Sequence, residues 1–130
     1  MSELCIEAKT EKLQDVLDFV EQYLKDCSRE VRSDVCIAVD EIFSNIVNHS
    51  EADDVTVRVS SDERILLEFE DDGEEYNPLL CDDPDVELPL DERNLGGLGI
   101  FLVKNLMDSL EYRYEQGRNI LTISKQLNQQ

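Results

Sequence analysis

Gly96-Gly97-Leu98-Gly99 runs directly into Ile100-Phe101-Leu102-Val103, an apolar segment of helical character. No other stretch limits the folding options of the chain so strongly. Glycine has no Cβ, so it accepts positive φ and lets another group come close to the backbone. A glycine-rich turn at a helix start also points unpaired N–H groups outward, at the positive end of the helix dipole. Together these make an anion site, and phosphate is the anion such sites most often serve. A tight loop in front of an ordinary core helix would use the same residues, so the choice rests on what lies upstream.

Composition narrows the function classes. The 130 residues carry 31 Asp and Glu against 12 Lys and Arg, a net charge of −19, and 41% are hydrophobic. That length predicts one domain spanning 1–130, with enough apolar residues for a real core. The charge argues against nucleic acid and against an anionic membrane surface, because both require a basic footprint. A basic protein partner is compatible with it, as is a merely well-solvated surface. Met1 to Glu7 has no basic segment followed by an apolar run, and no stretch nears the ~18 apolar residues of a spanning helix. The expected location is therefore the cytoplasm, and the four cysteines, Cys5, Cys27, Cys36 and Cys81, are expected to be reduced, with no metal-type spacing among them.

Periodicity orders the elements. Residues 3–9 alternate as a short strand. A helix is predicted to start at Thr10 and carry Leu13, Val16, Leu17, Val20 and Leu24 to about Cys27. A second helix, capped by Ser28 or Ser33, carries the stripe Val35, Ala38/Val39, Ile42/Phe43 and Ile46/Val47. Val55, Val57 and Val59 form a strand, Ser61-Asp62-Glu63 a turn, and Ile65 to Phe69 a second strand. Residues 72–95 hold Pro78, Pro84 and Pro89 among many acidic residues, and read as a lid, a binding loop or a disordered segment. After the glycines, a helix to about Met107 precedes a hairpin of Leu110–Tyr114 and Ile120–Ile123. The order β-α-α-β-β-lid-α-β-β predicts an α+β fold: a two-layer sandwich with a mixed, mostly antiparallel sheet covered on one face by helices.

The second helix leaves Asp40, Glu41, Asn45, Asn48 and His49 off its apolar face. Glu41 and Asn45 are four apart, so they stack one turn from each other. An amide oxygen together with phosphate oxygens can hold Mg²⁺, and a carboxylate beside them can orient or deprotonate a hydroxyl. Taken alone, the pair could equally be two polar residues facing solvent. Glu70-Asp71-Asp72-Gly73 ends an apolar strand, so a carboxylate there can reach into a cleft and accept a hydrogen bond from an exocyclic amine. An ordinary Asp-Asp-Gly turn would look the same.

Taken in order, E-x-x-x-N on a helix, D-x-G at a strand end, a variable lid and G-x-G opening a helix resemble the N, G1 and G2 boxes of the GHKL (Bergerat) ATP-binding fold, shared by gyrase, Hsp90, histidine kinases and MutL. Residues Val39 to His49, Asp71 to Leu79 and Gly96 to Val103 are most similar to the small anti-sigma-factor serine/threonine kinases of bacteria, and the likeness spans the whole chain. The resemblance implies Glu41 as catalytic base and Asn45 as Mg²⁺ ligand at the nucleotide. It implies Asp71 on the adenine amine, Gly73 on the pocket floor, and Gly97 and Gly99 with the N–H groups of Leu98 and Ile100 on the phosphates. Thr122 is implied as a further adenine contact. A mobile acidic ATP lid is expected over about 74–95. ATP or ADP with Mg²⁺, a sigma factor, a STAS-type antagonist as phosphoryl acceptor, and a homodimer follow from the same likeness.

Two function classes are carried forward. The first is a kinase that phosphorylates Ser or Thr on a small antagonist and sequesters a sigma factor. The second is a non-catalytic module whose bound nucleotide sets the lid and thereby selects a protein partner. A calcium-binding acidic domain is set aside because no D-x-D-x-D-G loop occurs. A histidine-kinase fragment is set aside because the chain starts at the first strand, without a helix bearing a target histidine.

Overall fold

Alternation in β2 (Asp54–Ser61) and β3 (Arg64–Asp71) buries Val55, Val57, Val59, Ile65, Leu67 and Phe69 on one face of a sheet and leaves the other face polar. The computed structural model describes residues 1–80 and 95–127. Within them, β1 (Ser2–Glu7), β2, β3, β4 (Ser109–Glu115) and β5 (Arg118–Gln126) form one sheet in the order β1-β2-β3-β5-β4, and every neighbouring pair is antiparallel. The helices α1 (Leu13–Glu21), α2 (Arg29–His49) and α3 (Leu95–Leu106) supply the facing apolar layer. The α+β sandwich expected from the element order is the fold observed.

α2 is the long central helix. Ser28 caps it, its hydroxyl accepting from Val31 N–H at 3.2 Å. Its face of Val31, Val35, Ala38, Val39, Ile42, Phe43 and Ile46 is buried on the sheet. On the opposite face of the sheet, Arg58 links three strands: its guanidinium meets Glu3 and Glu68 at 2.9 Å and Glu70 at 3.2 Å. Such cross-strand pairs help hold the register.

Local details depart from expectation at three points. Thr10 opens a 3-10 turn over Thr10–Lys12, and α1 starts only at Leu13 and ends at Glu21, well before Cys27. The final hairpin turns in two residues, because Gln116 (φ 53°) and Gly117 (φ 77°) are both left-handed, as a tight primed turn demands. The glycines lie inside the opening turns of α3 and not ahead of it, since the helix begins at Leu95. Cys5, Cys27 and Cys36 are free thiols, and burial pushes Cys27 and Cys36 up, away from the reactive thiolate. Cys81 and most of the expected lid, residues 81–94, fall outside the described residues. Among the described residues, no helix is long and apolar enough to cross a membrane.

Candidate functional site

Because α2 and α3 pack side by side, two of the three sequence boxes meet directly. A Cβ built on Gly99 would lie 2.5 Å from Glu41 Oε2, so only glycine leaves the carboxylate its present place. Glu41 and Asn45 are both half-buried, one turn apart on α2. A helix that begins at Leu95 has no acceptor of its own for the N–H groups of its first three residues, Leu95, Gly96 and Gly97. Gly97 therefore carries an N–H group that the helix leaves without an internal acceptor, whereas Leu98 already lies at the first internal hydrogen bond. Gly99 and Ile100 lie one turn inside, where helical geometry pairs their N–H groups with carbonyls four residues back. Ile100 is buried at 2% exposure, which makes it a packing residue.

The second end of the site is built on β3. Asp71 is the last residue of that strand and is 2% exposed. Its Oδ1 accepts from Gly73 N–H at 2.9 Å and from Asn119 Nδ2 at 3.0 Å. Burial raises its carboxyl above the usual range, against the opposing hydrogen bonds from Asn119, Gly73 and Ser50. Gly73 is required by close approach: a Cβ there would fall 2.0 Å from Ser50 O, and Glu74 N–H donates to that same carbonyl at 2.7 Å. The glycine thus seats the turn after Asp71 against the end of α2. His49, the last residue of α2, stacks on Tyr76 with ring centroids 5.4 Å apart, closing the same seam.

Asn119 was not among the expected site residues, yet it organises this end. It sits opposite Asp71 in the β3–β5 register and is 4% exposed. Besides the bond to Asp71, its Nδ2 donates to Glu74 O at 2.7 Å. Its Oδ1 accepts from Tyr76 N–H at 2.9 Å and from the Tyr112 hydroxyl. One amide therefore ties the carboxylate to the backbone that follows it.

Thr122 is displaced from its expected role. It pairs with Glu68 on β3 and Glu111 on β4, in the parity of Ile120 and Ser124, whereas Asp71 and Asn119 share the parity of Leu121 and Ile123. Alternation sends it to the sheet face away from the helices. No local signal marked Asn119, because β5 is buried at residues of both parities and its period does not say which side faces the helices.

No cluster of three or more His, Cys, Asp or Glu able to hold a metal occurs among the described residues. A cation held by one amide oxygen, phosphate oxygens and water needs no such cluster, and half-buried Asn45 beside Glu41 fits that donor set. Two cavities among the described residues, of about 460 Å³ beside Arg29 and Arg32 and about 280 Å³ beside Tyr23 and Ser61, touch none of the box residues.

Residues 6–125 match the histidine kinase-like ATPase domain family. The chain belongs to that family. A serine/threonine-protein kinase, BtrW of Bordetella bronchiseptica, is 31% identical over 103 residues, covering 75% of this chain and 72% of that protein. The fold matches a crystal structure of the RsbU and RsbW domains of a Mycobacterium tuberculosis protein, with a TM-score of 0.66 at 14% identity, over 100% of this chain and 34% of that one. The Acinetobacter baumannii histidine kinase AdeS gives a TM-score of 0.56 at 15% identity, over 99% of this chain and 69% of that one. Nucleotide binding is the property this histidine kinase-like ATPase domain implies.

Proposed function

We propose that this member of the histidine kinase-like ATPase family is an ATP-dependent serine/threonine kinase that acts on a small protein antagonist and sequesters a sigma factor in a partner switch. The observation that carries the proposal is the seating of Glu41 against Gly99, which puts a carboxylate beside the helix start expected to receive phosphate. Asp71, buried and held by Asn119, supports the adenine end of the same ligand. In this reading Asn45 holds Mg²⁺, which when bound offsets phosphate charge. Gly97 holds phosphate through its N–H group in the first turn of α3.

A Ser or Thr hydroxyl oxygen of the acceptor forms a bond to the γ-phosphorus of ATP as the bond from that phosphorus to the bridging oxygen of ADP breaks. The hydroxyl proton passes to the Glu41 carboxylate, and ADP leaves with the bridging oxygen's electron pair. Relatedness to a protein named as a serine/threonine kinase supports the reaction class.

The test is incubation with radiolabelled ATP and Mg²⁺, together with candidate antagonist and sigma-factor proteins, reading transfer and complex formation together. Wild type should label a hydroxyl residue on the antagonist, and Glu41→Ala should bind nucleotide but not label. Nucleotide-dependent complex formation with no labelling by either protein would favour the second reading, a non-catalytic binding module. The placement of Leu95, not a basic residue, directly before the glycines is what favours that reading.

A further inference from the structure

Asn119 has two amide hydrogens and an oxygen with two lone pairs, and the fold engages all four. Nδ2 donates to Asp71 Oδ1 at 3.0 Å and to Glu74 O at 2.7 Å. Oδ1 accepts from Tyr76 N–H at 2.9 Å and from the Tyr112 hydroxyl. These partners fix which way the amide points. A flipped amide would aim its NH₂ at the Tyr76 N–H, which can only donate, and its oxygen at the Glu74 carbonyl, which can only accept. Tyr112 imposes the same polarity from the edge strand β4. It lies opposite Leu121, on the helix side of the sheet, and its hydroxyl reaches diagonally to Asn119. At 4% exposure and with every polar atom engaged, Asn119 can influence a ligand only through Asp71.

Asp71 takes its polarity from this arrangement. Its Oδ1 accepts from Asn119 Nδ2 and, at 2.9 Å, from Gly73 N–H, so this oxygen is held as an acceptor by two donors. A ligand therefore meets Oδ2. Burial pushes the carboxyl up, toward a neutral acid that would offer a hydrogen, and the Asn119 bond is the largest influence against it. We infer that Asn119, oriented by Tyr112, is a positioning residue for base selection: it makes Asp71 present an acceptor, so that the site takes a purine with an amine at carbon 6 and turns away one with an oxygen there. The inference rests on the adenine reading of Asp71 and specifies what enforces it. Adenine offers a hydrogen from its 6-amine to the carboxylate. Hypoxanthine and guanine offer a lone pair, which would set two acceptors face to face in a buried place.

The experiment measures binding of ATP and of ITP to the full chain with Mg²⁺ by calorimetric titration. ITP carries hypoxanthine, so it reverses donor and acceptor at the edge that meets Asp71 and keeps the rest of the nucleotide. Wild type should bind ATP at least about tenfold more tightly than ITP, as a charge-assisted bond set against an unpaired acceptor dictates. Asp71→Asn keeps its amide oxygen on Gly73 and Asn119, which turns its NH₂ to the ligand, so the preference should reverse in favour of ITP. Asn119→Ala removes the donor that holds Asp71 as an acceptor, and the ATP-to-ITP ratio should fall by about tenfold. Tyr112→Phe should lower that ratio by about fivefold, the share of one neutral hydrogen bond. A merely structural role would weaken both nucleotides alike and leave the ratio as in wild type, and that result in Asn119→Ala would overturn the positioning role. An unchanged ratio in Tyr112→Phe alone would overturn the part given to Tyr112. If Asn119→Ala fails to fold, the isosteric Asp71→Asn carries the test, and a loss of ATP binding without reversal would overturn the inference. Equal binding of ATP and ITP by wild type would overturn it too, with nucleotide binding left in place. Binding of neither by wild type would instead remove the adenine reading, and the inference with it.

Discussion

Asp71 is a carboxylate that carries a burial cost. Its folded-state carboxyl is raised, with burial as the main cause. A raised carboxyl favours the folded state at low pH, and that contribution is lost as pH rises from the ordinary carboxylate range through the raised value. At neutral pH the ion is thus a net burden on the ligand-free protein. Asp71→Asn keeps an oxygen for Gly73 and Asn119 while removing the charge. It should raise the melting temperature at pH 7 by roughly 4 °C, as a change of about 1 kcal/mol does in a domain of this size. The gain should shrink as pH falls toward 4, and a thermal melt series across that range checks it. The same variant should weaken ATP binding by about tenfold or more, the loss of a charge-assisted hydrogen bond of roughly 1.5–3 kcal/mol. Unchanged affinity would remove Asp71 from the adenine contact.

Asn119 and Thr122 make a paired prediction at the same scale. Asn119→Ala leaves the Tyr76 N–H and the Asp71 carboxylate each short of a partner in a buried place. It should cost about 2–3 kcal/mol in denaturant unfolding. Thr122→Val, on the far face of the sheet, should leave ATP affinity as it is in a binding titration. The boxes themselves were legible in the sequence, because E-x-x-x-N and D-x-G depend on one-dimensional spacing. Asn119 was not, because β5 is apolar on both sides around Ile120 to Ile123 and its alternation does not announce which side faces the helices.

At the scale of elements, the glycines of the two boxes do different work. Gly73 lets a turn press on the backbone at the end of α2, where the obstacle is Ser50 O and cannot move aside. Gly73→Ala should therefore destabilise the fold by several kcal/mol, in the manner of overpacking. Gly99 faces only the flexible end of Glu41. Gly99→Ala should fold with nearly unchanged stability but displace the carboxylate. Calorimetry and single-turnover transfer together separate the two cases: loss of both fold and transfer in Gly99→Ala would refute the distinction. Lys125 fixes the opposite end of α3 by its bond to the Leu106 carbonyl, a cation at a helix C-terminus. The helix that opens on the glycines is thus anchored at its far end to Asp34 of α2.

For the whole molecule, charge is the governing term. A net charge of −19 on this length strains the compact state by self-repulsion. Raising ionic strength from about 0.01 M to 0.15 M shortens the Debye length from roughly 30 Å to 8 Å. The melting temperature of the free protein should rise over that interval, and a flat or falling melting curve would show that the repulsion is already offset locally.

What the sequence determined by itself was the set of parts. The periods of the helices and strands, the glycine-rich helix start and the order of the boxes follow from local chemistry, and they led to the fold and to Glu41, Asn45, Asp71 and Gly73. What only the tertiary structure decided was how the parts face one another. Register across β3 and β5 put Asn119, not Thr122, beside Asp71. Packing of α3 on α2 put Gly99 against Glu41. The glycine-rich stretch became the first turns of a helix, so the N–H groups that the helix leaves without an internal acceptor end at Gly97. Spacing along a chain fixes which residues share a face, but strand register and helix direction depend on contacts between residues far apart in sequence, and no local period carries that information.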